Sequence, residues 1–343
     1  MSNVRYTDGI RIDLATGETV ACDSEDVTGD VNALSHAHGD HLYRATPGSL
    51  VCSELTAALA NHRRGEDAVP LERTDHPAIR QVDAGHVAGS RATYVDESEV
   101  PRTSADRTQS GDGETVFCYT GDCSTRDRDY LTGFDPEPAD VLIIETTYGK
   151  PEYVFPEQQE LERRIVDWLD EEYDSPVLLF GYSLGRAQKL QRLVARSERD
   201  RLFVTKAVAG VNGVIGEHLG IDFGAERYRR ETELGAGDAL VLPSRTSKLA
   251  FVDDIVEETG AIKAGFSGWA TNDSFRYRGG YDETFVLSDH CDFSELCDVV
   301  RAVDPEQVYT NHGFDEAFAD HLATNMGYEA RPLKRNQSSL SDF

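Results

Sequence analysis

The sequence predicts an α/β protein, because apolar segments of strand length alternate with longer segments of helical periodicity. The clearest strand spans residues 140–145, where four consecutive apolar residues precede Glu145, as is typical of a sheet covered by helices on both faces. The clearest helix spans residues 157–173, whose apolar face carries Leu161, Ile165, Trp168 and Leu169. A chain of 343 residues is also long enough to form two domains.

Metal-binding residues follow the first predicted strands. Residues 5–20 predict paired strands, and the apolar run at residues 31–34 predicts another. Four metal-capable side chains come next: His36, His38, Asp40 and His41. In an extended backbone, residues two apart point the same way, so the first two histidines face one point, while the turn at Gly39 directs the other two side chains to a second point. This arrangement predicts two adjacent metal ions, and imidazole and carboxylate ligands suit zinc or manganese.

Further candidate residues follow later strands. After a predicted helix at residues 53–62, the strand at residues 79–83 leads to His86, which lies in a glycine-bearing turn. The strand at residues 115–119 leads to Asp122, and Glu145 closes its own strand. Residues 96–114 are acidic and rich in Ser, Thr and Gly, which predicts a surface loop.

The second half of the chain has features that suit phosphate binding. A strand at residues 177–180 turns into a helix, and such turns expose unpaired N–H groups that favour phosphate. The candidate contacts in this turn are Ser183, Gly185, Arg186 and Gln188. Residues 186–206 carry seven basic and two acidic side chains, a net charge of +5. A solvated helix face explains most of these charges equally well.

Strands are predicted at residues 239–243, 249–252 and 262–267, with a helix near residues 253–259. Ser267 and Trp269 are candidate contacts to a phosphate and a base, although packing is the commoner role of a tryptophan. The remaining strands, at residues 284–288 and 307–311, lead to His290 and His312, and a helix at residues 293–303 lies between them.

Composition restricts the interpretation in other ways. The net charge is −28, from 62 acidic and 34 basic residues of which six are lysine. Such a charge usually argues against nucleic-acid binding, but acidic, lysine-poor proteins also resemble those adapted to a salt-rich cytoplasm, where charges are strongly screened. The six cysteines are scattered and predict reduced, buried thiols. With no signal peptide and no membrane span predicted, we expect a cytoplasmic protein.

These motifs resemble a known family. The H-x-H-x-D-H stretch at residues 36–41 resembles the signature of the metallo-β-lactamase superfamily. The E-T-T-Y-G run at residues 145–149, the G-R-A-Q run at residues 185–188, Ser288 with His290, and the H-G pair at residues 312–313 resemble elements of its nucleic-acid-processing β-CASP group. The chain is most similar to short DNA-ligase-associated exonucleases and mRNA 3′-end processing factors. Phe314 stands where relatives often have Glu.

The resemblance implies a metallo-β-lactamase αββα sandwich with an inserted α/β β-CASP domain. Residues 1–150 and 281–343 then form the sandwich, and residues 151–280 form the insertion. It also implies one zinc or manganese ion held by His36, His38 and His86, and a second held by Asp40, His41 and His312, with Asp122 bridging both.

The resemblance predicts a two-metal nuclease that processes ends of RNA or DNA. His290 is the candidate general acid for the leaving oxygen, oriented by Glu145, a pairing that raises the pKa of the imidazole; Asp40 is the third residue of the catalytic set. A DNA ligase or helicase is a possible partner. The alternatives are a small-molecule hydrolase of lactonase or thioesterase type, which needs only the metal loop, and a non-catalytic nucleic-acid-binding scaffold.

Overall fold

The computed structural model describes residues 3–42, 48–65, 68–100 and 115–334, so the loop predicted at residues 96–114 lies outside them from residue 101 onward. The first part of the chain forms β1 (Asn3–Tyr6), β2 (Ile10–Asp13), β3 (Thr19–Cys22), β4 (Val31–Ala33), β5 (Ser49–Leu50), α1 (Glu54–Arg64), β6 (Glu72–Arg73), β7 (Ile79–Asp83), β8 (Arg91–Asp96), β9 (Val116–Tyr119) and β10 (Val141–Glu145). The rest forms α2 (Gln158–Glu171), β11 (Val177–Gly181), α3 (Arg186–Val194), β12 (Arg201–Val204), α4 (Lys206–Leu219), β13 (Glu226–Arg227), β14 (Asp238–Pro243), α5 (Ala250–Thr259), β15 (Ile262–Phe266), α6 (Ser274–Gly279), β16 (Glu283–Phe285), α7 (Phe293–Val303), β17 (Gln307–Asn311), α8 (Asp315–His321) and β18 (Glu329–Pro332).

The chain divides into two compact units. Unit 1 comprises Met1–Asp127, Leu131–Glu152 and His290–Phe343, and unit 2 comprises Arg128–Tyr130 and Tyr153–Asp289. The main segment of unit 2 thus runs from 153 to 289, whereas the predicted insertion runs from 151 to 280. The α/β class predicted from the sequence is confirmed.

Unit 1 contains a four-stranded sheet of order β1-β2-β3-β4 and a six-stranded sheet of order β18-β17-β10-β9-β8-β7. The alternate side chains of β10 explain its continuous apolar sequence. Leu142 and Ile144 belong to a core formed with α7 and α8, whereas Ile143 belongs to a core shared with Ile12 of the four-stranded sheet. Both faces of the six-stranded sheet are therefore covered, as in buried parallel sheets.

Unit 2 is built on a parallel sheet of order β13-β12-β14-β11-β15-β16. On one face, Val177 and Leu179 of β11 pack against α2 and α3. On the other face, Leu178 and Phe180 pack in a core that includes residues of α5. Because the strands are parallel, the turns that follow β11 and β15 lie at the same edge of this sheet.

Two strand predictions were wrong. Residues 250–252 belong to α5, because Val252 and Ile255 are buried at helical spacing while Leu249 and Phe251 are exposed. The strand predicted at residues 284–288 ends at Phe285 and pairs with β15 in unit 2, so the chain returns to unit 1 only after Asp289. None of the helices in the described ranges is both long and apolar enough to cross a bilayer.

Candidate metal centre

Four side chains from three segments of unit 1 converge on one point. His36 and His38 follow β4, His86 follows β7 and Asp122 follows β9. Nδ1 of His38 lies 3.1 Å from Nε2 of His36 and 3.2 Å from Nε2 of His86. Oδ2 of Asp122 lies 3.5 Å from His36 Nε2 and 3.6 Å from His86 Nε2.

These spacings fit a tetrahedral metal ion. Zinc with bonds of about 2.0–2.1 Å to nitrogen and oxygen holds its four ligand atoms about 3.3 Å apart. The four observed atom pairs are separated by 3.1 to 3.6 Å. The donor set of imidazole and carboxylate also suits zinc.

A second group of ligand atoms adjoins the first. His41, Asp122 and His312 place one ligand atom each within 4.8 Å of one another, so Asp122 belongs to both groups. His41 Nε2 lies 3.7 Å from Asp122 Oδ2. His312 follows β17 and has a left-handed backbone with φ of 58°, a conformation that non-glycine residues rarely adopt. Such strain is commonest at functional sites.

Asp23, which sequence reasoning missed, orients this group. Its Oδ2 lies 2.9 Å from Nδ1 of His41 and accepts a hydrogen bond of 2.9 Å from Tyr119. Its two oxygens also accept hydrogen bonds from the backbone and side chain of Ser35. The contact with Nδ1 leaves Nε2 of His41 to face the metal-ligand atoms, as carboxylates next to metal-binding histidines commonly do.

The electrostatics of the site favour a bound cation. Burial lowers the pKa of His36 well below its ordinary value, and the neighbouring imidazoles lower it further, so this ring is neutral and able to bind a metal. Burial also lowers the pKa of His41, but the carboxylates of Asp122 and Asp23 outweigh that effect and raise the pKa to about 10. A positive charge is therefore stabilised beside Asp122.

The predicted acid and its orienting carboxylate are also in contact. His290 Nδ1 lies 2.8 Å from Oε1 of Glu145, the last residue of β10. Glu145 is buried and accepts backbone hydrogen bonds from Cys123 at 3.2 Å and Thr147 at 3.0 Å. Burial raises its pKa, but His290 and the hydrogen bonds from Thr147 outweigh burial and lower it, so Glu145 is a carboxylate. Asp122, Glu145 and His290 place one ligand atom each within 4.8 Å of one another.

Asp40 is not brought into these groups. Its side chain is 82% exposed, and Oδ2 lies 4.0 Å from His41 Nε2. The turn in which the His41 N–H donates to the His38 carbonyl (3.1 Å) places Asp40 at its outer corner. Its roles as ligand and catalytic residue therefore stay predictions.

The predicted substrate contacts lie in unit 2, and two of them have a structural role that their sequence pattern did not indicate. Gln188 is fully buried and closes the turn: its Oε1 accepts from Gly185 N (2.8 Å), and its Nε2 donates to the Ser183 carbonyl (3.0 Å). Arg186 is buried and pairs with Asp289 at 3.0 Å. Both side chains thus make contacts inside unit 2, and their predicted contacts to phosphate stay predictions.

The other predicted contacts are arranged differently. Ser183 is partly exposed in the turn after β11, and Gly185 is buried with a φ of 97°. Ser267 is buried after β15, and its Oγ accepts from Trp269 N at 3.3 Å. Trp269 is partly exposed and packs edge-on against Tyr153. Ser183 and Trp269 thus present surface that a ligand could reach.

Comparisons with known proteins find metallo-hydrolase and nucleic-acid-processing relatives. Residues 283–331 match a family model described as RMMBL, a Zn-dependent metallo-hydrolase RNA specificity domain. A probable DNA ligase from Opitutus terrae is 32% identical over 306 residues, which cover 84% of this chain and 27% of the relative. An RNase J-like protein from Methanocaldococcus jannaschii is 29% identical over 125 residues, which cover 35% of this chain and 26% of the relative.

These similarities support the resemblance to the β-CASP group of the metallo-β-lactamase superfamily. The chain's alignments with these two curated relatives span about a quarter of their length. A solved structure of a protein of unknown function from Enterococcus faecalis V583 has the same fold, with a TM-score of 0.63 and 14% identity over 97% of this chain and 98% of that one. The matched family segment contains both His290 and His312.

Proposed function

We propose that this protein is a two-metal nuclease that hydrolyses phosphodiester bonds in RNA or DNA. The observation that carries the proposal is the contact between Glu145 and His290 beside Asp122. Hydrolysis of a lactam or thioester by a metal site has no need of this buried pair, whereas cleavage of a phosphodiester requires a proton for the departing oxygen.

We assign one ion to His36, His38 and His86 and a second to Asp40, His41 and His312, with Asp122 shared. Zinc or manganese bound there would supply a Lewis acid for the phosphoryl oxygens and would activate water for in-line attack. The task of this chain's own residues is to hold those groups in place and to supply the leaving-group proton.

His290 is suited to deliver that proton. Glu145 accepts the hydrogen bond from Nδ1, which fixes the orientation of the ring and stabilises the imidazolium. The proton on Nε2 is then the one available for the departing oxygen. General acid catalysis of this kind contributes roughly 10²- to 10⁴-fold to a rate.

The proposal also assigns a role to each of the two units. Unit 1 is the catalytic domain and unit 2 the inserted substrate domain, with Ser183 and Trp269 as contacts to the strand. The names of the two relatives include both a DNA ligase and an RNase, so we propose that the substrate is either DNA or RNA. We also propose that cleavage starts at an end of the polymer. The ligase relative extends well beyond the aligned part, which supports association with a DNA ligase.

The test is a cleavage time course on single-stranded RNA and DNA, each labelled at the 5′ or the 3′ end, with zinc or manganese at low and high salt. We expect products that shorten from one end of one polymer. In His290→Ala the rate falls by about 10²- to 10⁴-fold because the leaving oxygen loses its proton donor, while the metal content by mass spectrometry is unchanged.

His218→Ala is the matched control, because this histidine is exposed on α4 in unit 2. A wild-type rate in His290→Ala overturns the assigned mechanism. A wild-type protein that cleaves neither polymer but hydrolyses a chromogenic lactam or thioester is a small-molecule hydrolase instead. One that binds RNA without cutting it, whichever metal is added, is a scaffold.

A further inference from the structure

A buried carboxylate in unit 2 is held by two arginines. Asp289 Oδ1 accepts from Nη1 of Arg128 at 3.0 Å, and Oδ2 lies 3.0 Å from Nη2 of Arg186. The side chains of all three residues are at most 4% exposed. We call Arg128, Arg186 and Asp289 together the Asp289 clamp.

The clamp also holds the backbone around Asp289. Arg128 Nη1 donates to the carbonyl of Ser288 at 3.1 Å, and Arg186 Nη1 donates to the carbonyl of Phe266 at 3.2 Å. Arg186 is the first residue of α3 and Phe266 is the last residue of β15. Asp289 is thereby tied to two elements of the parallel sheet domain and to the short segment Arg128–Tyr130.

This short segment is anchored at each of its residues. The chain leaves unit 1 after Asp127 and returns at Leu131. Besides the contacts of Arg128, Asp129 pairs with Arg192 at 2.7 Å, and the ring of Tyr130 lies 5.9 Å from that of Phe223. The segment that supplies Arg128 is therefore well fixed in unit 2.

Stability alone is a poor explanation for the clamp. Placing two guanidinium groups and one carboxylate in a buried position requires the loss of their hydration, and buried ion pairs are often no more stabilising than apolar residues of the same volume. The charges do, however, restrict the carboxylate, because Oδ1 accepts a hydrogen bond from Arg128 and Oδ2 forms an ion pair with Arg186.

The residue that follows Asp289 is His290. On the other side of His290, Asp292 caps α7 and pairs with Arg126 at 3.2 Å. Each side of His290 in the sequence thus carries a buried carboxylate held by an ion pair, Asp289 within unit 2 and Asp292 within unit 1.

We propose that the Asp289 clamp positions His290 for proton transfer, so that Arg128, Arg186 and Asp289 are positioning residues of the reaction. The proposal rests on the proposed nuclease function. It also replaces the sequence-based interpretation of Arg186 as a phosphate contact. Removing a side chain that binds substrate phosphate raises KM, whereas displacing the general acid lowers kcat.

The experiment compares two substrates whose leaving groups differ in their need for a proton. Cleavage of a P–O bond in a single-stranded oligonucleotide expels a sugar alkoxide, which needs a proton from the acid, whereas cleavage of bis(p-nitrophenyl) phosphate expels the stabilised p-nitrophenolate. For Asp289→Asn and Arg186→Lys we expect kcat on the oligonucleotide to fall about 10- to 100-fold. We expect KM to change less than about twofold and the rate on the aryl diester less than about threefold.

Asp238→Asn is the matched control. Asp238 is another buried carboxylate of unit 2, and it pairs with Arg201 at the amino end of β14. Equal losses on both substrates indicate general disruption and overturn the proposal, as does a rise in KM or an unchanged kcat in Arg186→Lys. If Asp289→Asn does not fold, Arg186→Lys decides the result. A wild-type protein inactive on both substrates overturns the nuclease function itself, whereas unaffected variants of an active protein overturn the clamp alone.

Discussion

Asp23 shows how one side chain can organise the metal centre without being a predicted ligand. Four donors converge on its carboxylate: the backbone and side chain of Ser35, Nδ1 of His41 and the hydroxyl of Tyr119. His36 is oriented similarly, since its Nδ1 lies 2.9 Å from the Ser35 hydroxyl. One buried aspartate is thus connected to ligands of both groups.

Replacing Asp23 by Asn is expected to weaken zinc binding about 10- to 100-fold, as loss of a carboxylate behind a metal-binding histidine typically does. The amide carries no charge to support His41, and its single oxygen cannot replace two. Zinc affinity is measured by competition with a chromogenic chelator.

Asp30→Asn is the control, because this carboxylate is exposed and accepts a backbone hydrogen bond from Thr19. Equal zinc affinities in Asp23→Asn and the wild type would show that Asp23 has no part in orienting His41.

At the scale of elements, α2 and α3 are joined by one acidic residue. Glu162 of α2 accepts hydrogen bonds from Gln158 and from Lys189 of α3, and it also pairs with Arg196 just beyond α3. Burial raises the pKa of Glu162, but these donors outweigh burial and lower it. Burial lowers the pKa of Lys189 in spite of its partner.

Glu162→Gln is expected to lower the free energy of unfolding at pH 7 by about 1.5–3 kcal/mol, the usual contribution of a hydrogen bond to a charged group. Because the pKa of Glu162 is lowered in the folded state, its stabilisation is fully present above the ordinary value of 4.5 and is lost as the pH falls through the folded value. The difference between the two proteins in urea unfolding should therefore shrink below pH 4.5. A constant difference across this range would contradict the assignment, and Glu160→Gln, an exposed change on the same helix, is the control.

The sequence predicted elements well where local pattern decides them. The helix from Phe293 to Val303 and the strand from Gln307 to Asn311 have the predicted bounds, because their spacing and capping are local. The histidines and Asp122 were predicted because each follows a predicted strand and because their order resembles the pattern of the family. The burial of Arg186 was not, because its partner Asp289 is 103 positions further along the chain (289 − 186) and no local pattern connects them. Asp23 was missed because a single aspartate after a strand is common.

At the scale of the whole molecule, the net charge of −28 determines how the protein responds to salt. The basic stretch at residues 186–206 does not form an open cationic surface, because several of its charges are paired with carboxylates. These pairs are Arg186 with Asp289, Lys189 with Glu162, Arg192 with Asp129 and Arg201 with Asp238. The excess of acidic residues must therefore repel one another across the surface.

Raising KCl from 0.1 to 1 M should increase the thermal midpoint of unfolding by about 5 °C or more, because the screening length falls from about 10 Å to about 3 Å and self-repulsion favours the unfolded chain. Screening also predicts the shape of the response: most of the increase occurs at the lower concentrations, whereas preferential exclusion of salt from the surface continues to grow with concentration. Differential scanning fluorimetry across a KCl series, with sucrose as an uncharged control, separates the two effects. A midpoint that stays constant between 0.1 and 1 M KCl would show that the acidic surface does not limit stability, and the composition would then say nothing about a salt-rich habitat.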